Sequence, residues 1–375
     1  MTSVSALLES DGASIEVDDD WDTINNLYLQ RGWSDGLPIV PPTTQRLEQM
    51  LAYCDRPWDQ PVARIAPRWG DATPLRLAAN AVMAGCRPEY FPILMLAIEA
   101  MCEEQFNLYG IQATTHPCAP LVIVNGPIVQ ELGINAGHNA FGPGWQSNAT
   151  IGRAIRLALI NIGGAIPGTG DMSTFGSPAK YSFLVAENEA ASPWQPLHVE
   201  RGFPAHASTV TIVGAENPHN VNDHESLSGR GVLKMIAGTV AITGSNNASA
   251  ISMPTSGEAL IVFGPELAAT VAGDGYSKAD VKRFLFEHAR IPLGSFSDEN
   301  IQRRLKVRSP ELYAQAGPNA MVAAAERAED FMIAVIGGAG KHAAFLPTFG
   351  TTRAVTRALK RRDGELARSV QELRV

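Results

Sequence analysis

The chain has 375 residues and a formal net charge of −8, with 45% apolar, 18% charged and 7% aromatic residues. At roughly 150 residues per domain this is about two and a half domains' worth of chain, enough to bury a large core. The composition excludes bulk disorder and low complexity. No Lys/Arg stripe is interleaved with aromatics, which argues against a nucleic-acid partner. The basic cluster Lys360-Arg361-Arg362 has Asp363 and Glu365 beside it and reads as a solvated helix face. The N-terminal stretch is acidic, the reverse of a signal peptide's positive start. The longest apolar run, residues 91–101, is interrupted by Pro92 and Glu99 and falls short of the roughly 20 residues a membrane span needs. The expectation is a soluble, cytoplasmic protein. Its cysteines, Cys54, Cys86, Cys102 and Cys118, form no CxxC pair and should be thiols in that compartment.

Residues 1–20 read as a loose acidic leader. Residues 21–110 read as an N-terminal helical region. In it, Ile24, Leu27 and Tyr28 share one face of a helix that Gly32 stops. Residues 33–43, with three prolines, form a rigid extended loop, and Thr43 or Thr44 can cap the next helix. Thr73-Pro74 opens a helix that runs to Gly85, by a capping hydroxyl and a proline at the first turn. Pro88 opens its partner, completing a helical hairpin.

Beyond residue 110 the texture becomes α/β. Four short aliphatic runs, residues 121–124, 210–213, 260–263 and 331–336, are bounded by glycine turns and read as buried strands of a mixed sheet. Gly126-Pro127 after the first run and Gly264-Pro265 after the third both read as a turn into a short helix. This suggests a body over 111–350 built of two duplicated halves, 111–205 and 206–350; chance likeness of two βα units is the alternative. Further helices are expected over 148–160, capped by Asn148, and over 277–288, with Ser277 and Asp280 as a capping box. Residues 351–375 read as a charged surface helix.

Histidines are concentrated: His198, His206, His219 and His224 all lie within residues 198–224, among Glu187, Glu189, Glu200, Asp223 and Glu225. Imidazoles and carboxylates on loops at strand ends suit acid–base catalysis or metal binding. His198, His219 and His224 are the candidate metal ligands, His219, His224 and Glu187 the candidate catalytic groups. The bland alternative is turn chemistry, because Asn-Pro-His-Asn caps its own backbone. His116, fixed by the following Pro117, is a further catalytic candidate or else a buried hydrogen-bonded histidine. Cys86 sits beside Arg87 at the start of a helix, where a positive field would favour its thiolate; an inert buried thiol is the alternative. Gly144 and Asn148 at a loop-to-helix junction, and Asn246 and Asn247 in an amide-rich loop, could hold an anion. Gly337-Gly338-Ala339-Gly340-Lys341-His342 fails the phosphate-loop pattern, and no nicotinamide or flavin motif is present. Lys180 could clamp a substrate carboxylate, or lie on the surface.

Several segments together carry a resemblance: residues 33–43 (WSDGLPIVPPT), 84–90 (AGCRPEY), 107–117 (NLYGIQATTHP), 142–157 (GPGWQSNATIGRAIRL), 180–203, 217–224 (NPHNVNDH) and 275–290. They resemble a poorly characterised bacterial family associated with small redox proteins that carry a selenocysteine- or cysteine-Gly-Ser-Cys motif. The resemblance implies an enzyme subunit whose redox half comes from such a partner, since this chain contains no Cys-Gly-Ser-Cys. The expected function is the large subunit of a thiol-dependent oligomeric enzyme, an oxidoreductase or lyase that cleaves or reduces a carbon–heteroatom bond in a small polar substrate. One alternative is a hydratase or hydrolase using a divalent metal on His198, His219 and His224, with Glu187 or Glu189 as base. A second is a non-catalytic binding subunit.

Overall fold

The structure is a computed structural model that describes all residues except 1–2, 12–13, 248–256, 309, 316 and 318. The N-terminal helices follow their capping residues. Helix α1 spans Val4–Asp11, so the acidic leader contains a helix that its composition did not announce. Helix α2, Trp21–Gln30, starts where the Asp20 carboxylate accepts from the Thr23 N–H, and α3, Thr44–Leu51, where the Thr43 hydroxyl accepts from Arg46. A small hairpin of β1, Ala63–Ile65, and β2, Gly70–Ala72, precedes α4, Pro74–Ala84. Helix α4 has Thr73 as its cap, Pro74 in its first turn and Gly85 at φ 85 as its stop. Helix α5, Phe91–Met101, is buried along its whole length, and α6, Leu108–Ala113, leads into the α/β body.

In chain order the body contains β3, Ala119–Asn125; α7, Ile128–Glu131; α8, Gln146–Asn161; β4, Leu184–Ala186; α9, Leu197–Glu200; and β5, Thr209–Ala215. Then come β6, His219–Asn222; α10, Gly229–Val240; β7, Ala259–Phe263; α11, Pro265–Gly273; and α12, Lys278–His288. The remaining strands are β8, Arg290–Pro292; β9, Met321–Ala323; β10, Phe331–Val335; β11, His342–Leu346; and β12, Val355–Ala358. All four aliphatic runs are strands, namely β3, β5, β7 and β10.

These strands form two four-stranded mixed sheets rather than one, in the orders β12-β5-β3-β4 and β10-β7-β11-β6. The sheets pack face to face, and side-chain alternation divides their strands between two environments. Leu121 and Ile123 of β3 meet Leu260 and Val262 of β7 in the core between the sheets. Val122 and Val124 face α4, α5 and α8 on one outer side. Ile261 and Phe263 face α10, α11 and α12 on the other. The layers thus run helix, sheet, sheet, helix, and strands β3, β5, β7 and β10 are buried on both faces. That is why they read as unbroken apolar runs.

The two sheets share one topology. In each, a central strand pairs in parallel with the strand that a helical crossover supplies, β3 with β4 and β7 with β10. In each, an antiparallel strand then lies on the central strand's other side, β5 or β11. The outermost strand is exchanged. After β5 the chain crosses to the second sheet as β6, and after β11 it crosses to the first as β12. The proposed division at 205/206 therefore falls between β4 and β5, inside one sheet. The segment from 351 onwards is corrected as well: it holds β12 and a short 3-10 turn, Val370–Leu373, instead of a charged helix. Among the described residues no helix is long and apolar enough to cross a membrane.

Candidate functional site

The two crossing segments run side by side. Ala215 bridges Thr348, the Glu216 N–H donates to the Pro347 carbonyl at 2.8 Å, and the Phe349 N–H donates to the Gly214 carbonyl at 2.9 Å. β5 is antiparallel to β3, with Ala215 opposite Ala119, so the crossing also adjoins the 114–117 segment before β3. Two adjoining cavities open there, of about 600 and 610 Å³, and they share Phe175, Gly176 and Ser177 as a common wall.

The first cavity is lined by Pro117, Glu216, His219 and Ser245 among others. Glu216 Oε1 lies 2.6 Å from His116 Nε2. Since an ionised carboxylate only accepts, the imidazole N–H donates. The His116 ring is stacked on Phe349, its side chain is 12% exposed, and its Nδ1 has no hydrogen-bond partner among the described residues. Buried aromatic packing and the fixed X-Pro backbone thus hold the imidazole behind Glu216, which remains open to the cavity at 31% exposure.

The second cavity is lined by Asp35, Arg156, Asp171 and Lys180. Lys180 Nζ lies 2.7 Å from both Asp171 oxygens, and Arg156 Nη2 donates to Asp171 Oδ2 at 2.8 Å. Asp35 accepts from Arg153 Nε and Nη2, each at 2.8 Å. Burial pulls the Lys180 ammonium below its ordinary value against the opposing pull of Asp171. Burial pushes the Asp171 carboxyl up, but the hydrogen bond and charge of Lys180, the charge of Arg156 and the Ser173 N–H outweigh it and hold it below its ordinary value. The segments are tied together: the Thr174 N–H donates to Thr115 O at 2.9 Å, and the Ala179 N–H to Asn217 Oδ1 at 3.2 Å. Of the residues expected from sequence, His116, His219 and Lys180 converge here.

The others lie elsewhere. Burial pushes the Cys86 thiol up to about 12, outweighing the Thr150 hydrogen bond and the Arg153 charge that favour the thiolate. The expected helix-start activation of Cys86 is therefore corrected. Glu187 is 2% exposed; its Oε2 accepts from the Leu197 N–H and Asn125 Nδ2, both at 2.7 Å. Burial raises its carboxyl above the ordinary range, against the pull of Lys278. His198 is wholly buried, 3.4 Å from the Ala205 carbonyl and 3.9 Å from Glu189 Oε1. His224 is exposed and packs edge-on against His342 with ring centres 5.0 Å apart. His198, His219 and His224 are thus not brought together. Among the described residues no group of three His, Cys, Asp or Glu side chains is placed to hold a metal ion.

The expected amide-rich anion loops also turn inward. Asn148 is in the first turn of α8 rather than at its cap: its Oδ1 accepts from the Asn135 N–H, and its Nδ2 donates to the Asn135 and Leu184 carbonyls. Asn247 holds Thr348 through both its amide atoms, while Asn246 is half-buried in the adjoining turn. Gly144 is an exposed loop glycine at φ 127. In the 337–342 loop the Gly340 N–H donates to Glu266 Oε1, so a carboxylate of the chain itself takes the place of an anion.

Glu216, Arg156 and Asp171 escaped the sequence reading. Glu216 follows a strand directly, the one signal that could have singled it out. Arg156 sits mid-helix and Asp171 in a glycine-rich loop, where the sequence alone does not distinguish them from surface charges. Comparison of the chain with protein-family models, with curated proteins and with solved structures finds no match.

Proposed function

We propose that the protein is an enzyme that removes a proton from carbon in a small polar substrate and cleaves a carbon–heteroatom bond by elimination. Glu216 is the base. His116 holds one carboxylate oxygen and leaves the other, which has no partner among the described residues, to take the proton. His219, on the same cavity, protonates the departing heteroatom group. The C–H and C–heteroatom bonds break, a C=C bond forms, and the leaving group departs with the proton from His219. The observation that supports this reading is the buried imidazole at 2.6 Å from a carboxylate that faces a cavity at strand ends.

Elimination needs no external reductant, so this chemistry runs without the small Cys-Gly-Ser-Cys protein that the resemblance implies. Thiol attack by Cys86 is the weaker route, because its burial disfavours the thiolate.

Deuterium wash-in tests the base directly and does not require the natural substrate. A panel of small carbonyl compounds and carboxylic acids is incubated with the protein in D2O, and C–H loss is followed by NMR. Glu216→Gln is expected to slow exchange by about a hundredfold or more. Exchange in Glu216→Gln at the wild-type rate rules the proposal out.

A further inference from the structure

A buried cluster of charges backs the second cavity. Arg156, Lys180, Asp35 and Asp171 line it, Arg153 pairs with Asp35 without lining the cavity, and all five side chains are at most 15% exposed. A buried charge demands a partner, because the protein interior cannot replace the water it has lost. Cys118 is close enough for a charge on it to act on both Arg156 and Lys180, but burial pushes its thiol up to about 12, so it supplies no negative charge at neutral pH. Two polar atoms are unsatisfied as well. Arg156 Nη1, on a side chain 9% exposed, and Ser177 Oγ are both buried without a hydrogen-bond partner among the described residues, and both residues line this cavity. Native proteins leave few buried polar atoms unpaired, and two around one cavity offer hydrogen-bonding capacity that a bound group can take up.

We infer that this cavity is the subsite for a single carboxylate of the substrate, received by the Arg156 guanidinium, the Lys180 ammonium and the Ser177 hydroxyl. A monocarboxylate adds one negative charge to the two cations and two carboxylates that line the cavity, where a phosphate dianion would add two. A guanidinium N–H and a hydroxyl supply donors to a planar carboxylate. Ser177 lines both cavities, so a carboxylate bound there is held next to the chamber that contains Glu216. The inference deepens the elimination reading by giving the substrate its recognition group, and an adjacent carboxylate also helps to explain how a carbon acid is oriented towards the base.

The test is calorimetric titration of the full chain with propanoate, with propanamide as the neutral isostere, and with inorganic phosphate. Propanoate is expected to saturate one site per chain with an affinity on the order of millimolar. Propanamide and phosphate are each expected to bind at least about tenfold more weakly. Ser177→Ala removes a hydroxyl with no internal partner, so the fold is kept; it and Lys180→Gln are each expected to weaken propanoate binding about tenfold. Equal binding of propanamide, tighter binding of phosphate, no saturable propanoate binding, or wild-type affinity in both variants each overturns the inference. Glu216→Gln separates the two readings. It is expected to bind propanoate normally. Lost proton exchange with carboxylate binding intact supports both, whereas Glu216-dependent exchange without carboxylate binding leaves the base in place and removes the subsite.

Discussion

A charged or reactive side chain here takes its character from burial more than from its neighbours in sequence. Cys86 shows this most directly: Arg87 beside it and a helix start ahead of it favour a thiolate, yet enclosure against α8 pushes the thiol up to about 12. Burial is the largest cause for Cys54, at about 11, and for Cys102 and Cys118, at about 12. Because a raised thiol value leaves the neutral form dominant through neutral pH, iodoacetamide should label all four slowly at pH 7. The rate should climb about tenfold per pH unit towards pH 10, since the thiolate is the reactive form. Unfolding should abolish the protection. Peptide mass mapping reads the sites, and rapid selective labelling of Cys86 in the native protein at pH 7 would restore it to the mechanism. Glu216 is the opposite case. In sequence it is one acid among many, but its placement against His116 and a cavity gives it a chemical task.

At the scale of single elements, local chemistry was largely legible. Thr43, Thr73 and Ser277 cap the helices they were expected to cap, and Ser277 with Asp280 forms the full capping box. Asn148 was misplaced because an amide near a helix start fits a cap as well as an inward clasp. The paired Gly-Pro turns are equivalent in topology but not in backbone. Gly126 adopts φ 87, whereas Gly264 lies in the extended region at φ −66. At Gly126 a Cβ would stand 2.2 Å from the Ala207 carbonyl oxygen and 2.8 Å from Ser208 Cα. Both are backbone atoms and cannot swing aside. Gly126→Ala should therefore cost about 3 kcal/mol or more, from the left-handed backbone and the clash together. Gly133→Ala, at φ 61 with nothing within 4 Å, should cost only about 1 kcal/mol. Urea denaturation of the two variants measures the difference. Equal costs would mean that the close approach to Ala207 is relieved by movement of the backbone.

The whole molecule is held together by exchange. Each sheet takes its outermost strand from the chain that has just left the other, so neither sheet is complete within one stretch of sequence. The C-terminal segment is thereby a structural part of the first sheet: β12 pairs with β5, Thr211 and Thr356 share a hydrogen bond at 2.9 Å, and Val355, Leu359, Val370 and Leu373 enter the core beside α5. Ending the chain at residue 350 should expose the β5 edge and this apolar face. The shortened protein is expected to lose cooperative unfolding and to aggregate. A monomer that melts with the same sharpness as the full chain would show that the segment is an appendage.

Taken alone, the amino-acid order marked most of the longer helices, the caps at Thr43, Thr73 and Ser277 and the buried strands β3, β5, β7 and β10, because those depend on side-chain periodicity and on hydrogen bonds spanning three or four residues. It also marked out His116, His219 and Lys180 as candidates. Which strands shared a sheet, where the strand exchange occurred and which charges met were decided only in three dimensions. Asp171 finds Lys180 and Arg156, and Glu216 finds His116 across a hundred positions of chain, through the packing of two sheets. Sequence periodicity reports how a side chain is turned relative to its own element, while a site depends on distances between elements, which the shared apolar core sets.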